Sequence, residues 1–225
     1  MGIRARGLVV TWRHRQVLGP LDLDIEAGER VALLGRQRSG KSAFLQALVR
    51  RDAWDADLGV RGSLQVYGQD ILKLRDLHGH RRTIGFVPSY PTMLPGSVYD
   101  NVSYAPRIQE DLGTAALDAR VEWSLKAAAV WGATASRLAE NAEHFSAGER
   151  QRIALARALA QAPRILLLDQ PFAMLDSGTA TAIQESLLAI EDLTIILATS
   201  HPRRASQFAT RVVDLPSVSD EADHE

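Results

Sequence analysis

Four short apolar runs punctuate the chain: "RVALLG" (Arg30 to Gly35), "TIGFVP" (Thr83 to Pro88), "RILLLD" (Arg164 to Asp169) and "TIILAT" (Thr194 to Thr199). Runs this uniformly apolar suit strands covered on both faces, the situation of a mostly parallel sheet. The segment "LDLDIEAG" (Leu21 to Gly28) instead alternates apolar and acidic positions, as a half-exposed antiparallel strand does, and "LVVTW" (Leu8 to Trp12) precedes it. Together they predict a mixed sheet. Between the apolar runs the period becomes helical. Phe44, Leu45, Leu48 and Val49 share a face after Gly40, and Leu117, Val121, Leu125 and Ala128 recur at helical steps, as do Ile183, Leu187 and Ile190. From Tyr90 to Ala160 helical patterns continue without strong strand signals, which predicts a helical subdomain inserted in an α/β core. The expected layout is a single domain over residues 1–225, with the core at about 1–89 and 161–215 and the helical subdomain at about 90–160. A flexible acidic tail over 216–225, containing "SVSDEADHE", completes it.

Composition narrows the function classes. With 225 residues and 46% hydrophobic content the chain can bury a substantial core. Lys+Arg 26 against Asp+Glu 27 leaves a net charge of -1, so there is no global basic field and nucleic acid is not an expected partner. The absence of cysteine removes disulfides and thiolate metal sites. No apolar run approaches the roughly 20 residues that span a bilayer. The opening "MGIRARGLVVTWRHRQ" has too short an apolar stretch for a signal peptide, so the chain reads as cytosolic.

Candidate chemistry begins at "GRQRSGKS", Gly35 to Ser42, which satisfies G-x-x-x-x-G-K-[ST] between an expected strand and an expected helix. A triphosphate needs donors from several directions, and a loop whose backbone N–H groups point inward onto a helix N-terminus supplies them. Lys41 adds a point charge for the outer phosphates and Ser42 a hydroxyl for Mg²⁺. A glycine-containing turn with an exposed lysine would read the same; the flanking elements favour the phosphate loop. At the end of "ILLLD", Asp169 can help hold Mg²⁺ if its strand neighbours that of the loop, although strands also end in aspartate for turn formation. In "FSAGERQRIALARALAQAP", Ser146 and Glu149 form a capping box, and the small residues Ala147 and Gly148 leave the helix mouth open to a phosphate.

The ordered set "GRQRSGKS", "FSAGERQRIALARALA", "ILLLDQP", "MLDS" and "ATSHP" resembles the nucleotide-binding subunits of ABC transporters from about Gly7 to Leu215. The segment "RRTIGFVPSYPTMLPGSVYDNVSYAP" looks most like the ATPase subunits of bacterial phosphate importers. The resemblance implies a P-loop NTPase fold with a mixed sheet core, an N-terminal antiparallel β subdomain and an inserted helical subdomain. It implies that Trp12 stacks on adenine, that the loop Gly35, Arg36, Gln37, Arg38, Ser39, Gly40, Lys41, Ser42 and Ala43 holds ATP, and that Ser42 and Asp169 hold Mg²⁺. His201 would contact the γ-phosphate, while Ser146, Ala147, Gly148 and Glu149 would meet the nucleotide of a second subunit in a head-to-tail homodimer or heterodimer. Integral-membrane permease subunits are the implied partners, which would place the chain on the inner face of the cell membrane.

Four positions depart from that family's usual pattern. Gln170 stands where a glutamate polarises the attacking water, and an amide cannot usefully accept the proton. Ser89 stands where a longer glutamine reaches Mg²⁺ and water, Arg38 replaces a glycine and would strain a loop tuned for positive φ or add a phosphate ligand, and Ala147 replaces a glycine of the signature. Slowed turnover is the expectation. A non-transport nucleotide switch, or the degenerate half of an asymmetric pair, would carry the same departures.

Overall fold

The computed structural model describes residues 2–216, so the expected acidic tail falls outside the described residues except for Pro216. In chain order the elements are β1 (Ile3–Trp12), β2 (Arg15–Ile25), β3 (Arg30–Leu34), α1 (Lys41–Leu48), β4 (Leu58–Val66), β5 (Gln69–Asp70), α2 (Leu77–Arg82) and β6 (Ile84–Val87). They continue as α3 (Val98–Gln109), α4 (Thr114–Ala127), α5 (Trp131–Thr134), α6 (Ala147–Ala160), β7 (Ile165–Asp169), α7 (Ser177–Leu188), β8 (Thr194–Thr199), α8 (Pro202–Phe208) and β9 (Arg211–Asp214). Two compact units share them. The first runs to Arg81 and resumes at Thr194; the second is Arg82–Leu193. The helical stretch expected over 90–160 falls within the second unit, which also holds β6 and β7.

In the first unit β2, β1, β4 and β5 form an antiparallel sheet in that order. One face of β1 is core: Ile3, Ala5, Leu8 and Val10 are fully buried, opposite Leu18, Leu23 and Ile25 of β2. The acidic residues of "LDLDI" take the other face, where Asp24 pairs with Arg4 and Arg6. A two-residue loop, Arg13 and His14, joins the strands with both residues at positive φ (47° and 68°) and Trp12 paired with Arg15. Such a loop matches the right-handed strand twist but usually uses Asn-Gly. The parallel component is separate: β3 lies between β8 and β9, with Leu34 in register with Thr199 and with Asp214. The expected mixture of strand directions is thus divided between sheets. Residues Val31–Leu33 and Ile195–Ala198 have no exposed surface, as the apolar runs require. Helix α1 buries Phe44, Leu45 and Leu48, while Val49 caps its end and is half-buried.

In the second unit β6 and β7 pair in parallel from Ile84↔Ile165 to Val87↔Leu168. Helix α6 lies against β6 so closely that a Cβ on Gly85 would sit 3.1 Å from the Ala158 carbonyl oxygen, which explains a glycine inside this strand. Helices α3 and α4 pack on α6. Val121, Leu125 and Ala128 of the expected stripe are buried; in α7 Ile183 and Leu187 are buried, whereas Ile190 lies beyond the helix end. Helix α3 opens with a capping box in which Ser97 Oγ accepts from Asp100 N and the Asp100 carboxylate accepts from Ser97 N. Among the described residues no helix is long and apolar enough to cross a membrane.

Candidate functional site

The first unit contains the expected phosphate loop, built as a strand-to-helix connection between β3 and α1. Both loop glycines are required by packing. A Cβ on Gly35 would strike the Ser39 hydroxyl and the Leu215 carbonyl, and one on Gly40 would lie 2.5 Å from the Val17 carbonyl oxygen and 2.8 Å from Leu18 Cβ. Gly40 is also left-handed (φ 85°) as the residue that starts α1. Arg38 is left-handed too, at φ 64°, although it carries a side chain. Lys41 is only 4% exposed and its Nζ donates to the carbonyls of Gly35 (2.7 Å) and Arg36 (2.6 Å) and to Ser39 Oγ (3.0 Å). Three acceptors of its own loop thereby receive the charged ammonium. No acidic residue occupies the first turn of α1, so no carboxylate of that turn offsets the positive end of the helix. Ser42 and Ala43 follow, half-buried.

His201 belongs to the same edge. Leu34 and Thr199 are register partners, so the chain leaves β3 for the loop and leaves β8 for His201 at one end of the parallel sheet, where ligands of open α/β sheets bind. The histidine is exposed, and its backbone N–H donates to Thr199 Oγ1 at 3.1 Å. Trp12 ends β1, half-buried, with the guanidinium groups of Arg13 and Arg51 at 5.9 and 6.0 Å from its ring centroid. Its π-system already attracts two cations.

The second unit gathers the remaining residues at the end of β6 and β7. The register Val87↔Leu168 brings Ser89 and the pair Asp169–Gln170 out at the same edge. Asp169 is 4% exposed; Gln170 is half-buried and left-handed (φ 48°), a conformation that side chains adopt at some cost. The mouth of α6 is closed by the expected capping box: Ser146 Oγ accepts from Glu149 N at 3.3 Å, and Glu149 Oε2 accepts from Ser146 N at 2.8 Å. These hydrogen bonds hold the Glu149 carboxyl below the usual range. Ala147 is exposed. A Cβ on Gly148 would come within 3.3 Å of the Met174 carbonyl oxygen, so glycine lets the helix mouth approach the turn that follows Gln170. In that turn Asp176 caps α7 through Thr179 N and Oγ1, and those bonds lower its pKa.

Three residues that sequence reasoning passed over organise this unit. Gln151 is 2% exposed and its Nε2 donates to the Pro88 carbonyl at 3.3 Å, tying α6 to the backbone just before Ser89. Asn101 is fully buried: its Oδ1 accepts from Leu94 N (2.8 Å) and an Arg157 N–H (3.1 Å), and its Nδ2 donates to the carbonyls of Leu94 and Ser97 (both 3.0 Å). Arg157 donates further to the Thr92 carbonyl (3.0 Å), has no carboxylate partner among the described residues, and has its pKa lowered by burial. A cavity of about 270 Å³ lies beside it, lined also by Phe86, Leu94, Tyr104, Gln109 and Gln161. The cue in the sequence was "SVYDNV", whose Ser and Asp share the capping box of α3 while its Asn builds this network.

Known proteins resemble this chain in sequence and in fold. Residues 18–173 match the model of the ABC transporter family. The chain is 35% identical over 215 residues to phosphate import ATP-binding protein PstB 2 of Lactobacillus acidophilus, covering 95% of this chain and 86% of the relative. It is 35% identical over 211 residues to PstB 1 of Streptococcus pyogenes serotype M3, covering 93% and 84%. Among solved structures, a dimeric bacterial ABC transporter cassette superposes with a TM-score of 0.83 at 26% identity, covering 96% of this chain and 94% of that one. A dimeric cassette in a post-hydrolysis state with ADP and Pi bound gives 0.82 at 27% identity, covering 95% and 94%. A lysine-bearing phosphate loop, a capped signature helix and an acid-ended apolar strand, in this order and on this fold, place the chain in the ABC transporter family as an ATP-binding cassette.

Proposed function

We propose that this ABC-type ATPase binds MgATP, pairs head to tail with a second ATP-binding subunit, and couples nucleotide binding to integral-membrane permease subunits that import phosphate or a related anion. The observation that carries the reading is the loop Gly35–Ser42. Two glycines are placed by contacts that exclude a Cβ, and a buried lysine is held on loop carbonyls that polyphosphate oxygens can replace as partners. The two relatives named as phosphate import ATP-binding proteins support the cargo class, and the dimeric cassettes support the pairing.

Ser42, in the first turn of α1, and Asp169, buried at its strand end, each offer an oxygen donor of the class Mg²⁺ takes. Held by such donors, Mg²⁺ would neutralise phosphate charge. Around the nucleotide the chain's own groups divide the work. Loop N–H groups and Lys41 bind the phosphates, Trp12 supplies an aromatic face for the base, and His201 donates toward the terminal phosphate. Ser146, Ala147, Gly148 and Glu149 meet the nucleotide of the paired subunit. Gln170 and Ser89 can orient water by hydrogen bonding, yet neither removes its proton at neutral pH, so hydrolysis is slow.

The docking face for the permease is the cavity beside Arg157, lined by the exposed Tyr104, with Ile108 exposed one turn further along α3. Exposed apolar side chains around a cation without an acid partner suit a protein segment carrying an acidic residue. This face would hold the chain at the cytoplasmic surface of the membrane. The test is ATP turnover of the purified chain with and without the co-expressed permease. Stimulation by the permease supports coupling, and turnover indifferent to a copurifying permease defeats it.

A second reading has its own observation: both water-handling departures, Ser89 and Gln170, leave the same edge of the β6–β7 pair. That concentration favours a subunit in which ATP-driven pairing is the output, or one half of an asymmetric pair whose partner supplies the glutamate. Sedimentation with ATP separates the two, since a self-paired dimer excludes the obligatory different partner.

A further inference from the structure

We propose that Arg38 is a second phosphate-binding cation whose contact with the terminal phosphoryl group makes the loop prefer a nucleoside triphosphate to the diphosphate. The proposal rests on the reading of Gly35–Ser42 as the phosphate loop. Ser39 N donates to the Arg36 carbonyl at 3.3 Å, closing a four-residue turn in which Arg38 is the third residue, at φ 64°. That position in a turn favours glycine or asparagine, because a side chain on a left-handed residue crowds the backbone. An arginine is therefore held there against local preference, and outliers of this kind gather where a side chain has a task.

No contact within the described residues accounts for it. The Arg38 side chain is exposed, and its guanidinium has neither an ion pair nor a hydrogen bond among the described residues. Lys41 is in the opposite condition, buried with three acceptors from its own loop. Gly35–Ser42 contains no acid, and neither does the first turn of α1, so nothing local offsets the charge of Arg38. Backbone N–H groups cradle the inner phosphates of a nucleotide in such a loop, and Lys41 reaches the outer ones. An exposed planar fork at the tip of the turn adds a second cation for the outermost phosphoryl group, whose oxygens it can take in pairs. A diphosphate lacks that group, so the arginine adds affinity for the triphosphate alone.

The experiment is titration of the full chain with fluorescent ATP and ADP analogues, comparing the parent with Arg38→Gln, Arg38→Lys, Arg38→Gly and Lys41→Ala, with folding checked by circular dichroism. Arg38→Gln should weaken ATP about tenfold and ADP less than about twofold, in line with a solvent-accessible charge-assisted contact. Arg38→Lys should recover part of the loss. Arg38→Gly, which suits the backbone, should lose the preference as Arg38→Gln does, separating the charge from the strain. Unchanged ATP binding in Arg38→Gln, or equal loss for both nucleotides, overturns the proposal. If Lys41→Ala loses both nucleotides while Arg38→Gln loses neither, only the role of Arg38 falls. If Lys41→Ala binds ATP like the parent, the phosphate-loop reading itself falls.

Discussion

Replacing Asn101 by alanine should unfold the second unit more easily than any comparable surface change, because this one side chain ties three segments together. Its Oδ1 and Nδ2 make four hydrogen bonds, to Leu94 N, Leu94 O, Ser97 O and the Arg157 guanidinium, at 2.8 to 3.1 Å. Alanine removes all four. Two of the abandoned groups have other partners: Ser97 O still accepts from the backbone N–H of residue 101, and Arg157 still donates to Thr92 O. The two polar atoms of Leu94 then depend on water, which its half-buried position partly admits. At about 1 kcal/mol for each neutral bond, and about 2 for the one to a guanidinium, the loss is about 3 to 5 kcal/mol. That is a large share of a typical domain stability of roughly 5 to 15 kcal/mol. Urea unfolding followed by tryptophan fluorescence measures it, and a cycle with Arg157→Met isolates the pair, for which a coupling of roughly 1 to 3 kcal/mol is expected. An Asn101→Ala midpoint equal to that of the parent, with the same urea dependence, would refute the reasoning: the network would then exchange for water at no net loss.

Other outcomes follow from the same geometry. Gln170→Glu restores a group able to draw a proton from water and should raise the single-turnover rate of phosphate release, by at most roughly 10² to 10⁴. The gain should be fuller with Ser89→Gln, since the two positions share an edge; a parent already turning over rapidly and unaltered by either change would sink this account. Gly40→Ala forces a Cβ to 2.5 Å from the Val17 carbonyl at a left-handed φ of 85°, so thermal melting should show a loss of at least about 2 kcal/mol. His80 is buried with Nε2 donating to the Leu48 carbonyl, and burial first, then the charges of Arg50 and Arg81, lower its pKa below 6.5. Its contribution to stability is therefore complete above about pH 6.5 and is lost as the pH falls through that value, by up to about 1.4 kcal/mol per pH unit. Urea midpoints at pH 7.5 and pH 5 should converge in His80→Gln more than in the parent, and an identical pH dependence in both would count against it.

Much of this chain could be read from its letters because the relevant signals are local. The runs Arg30–Gly35 and Thr194–Thr199 became buried parallel strands, since continuous apolar side chains must be covered on both faces. Ser146 with Glu149 became a capping box because its partners are three residues apart on one helix turn. The spacing of Gly35, Gly40 and Lys41 announced a phosphate loop for the same reason. Strand β4 escaped notice, because Gly62 breaks the alternation of Leu58, Val60, Leu64 and Val66, and its identity comes from pairing with β1. The left-handed backbone of Gln170 was equally silent, since no letter encodes φ, whereas that of Arg38 was signalled by the glycine usual at its position in the family. Only tertiary structure could set Gly40 against Val17, Gln151 against Pro88, and Asn101 between Leu94 and Arg157. These partners are far apart along the chain or on different elements, and their meeting is decided by how strands and helices pack, which no local pattern of polar and apolar residues contains.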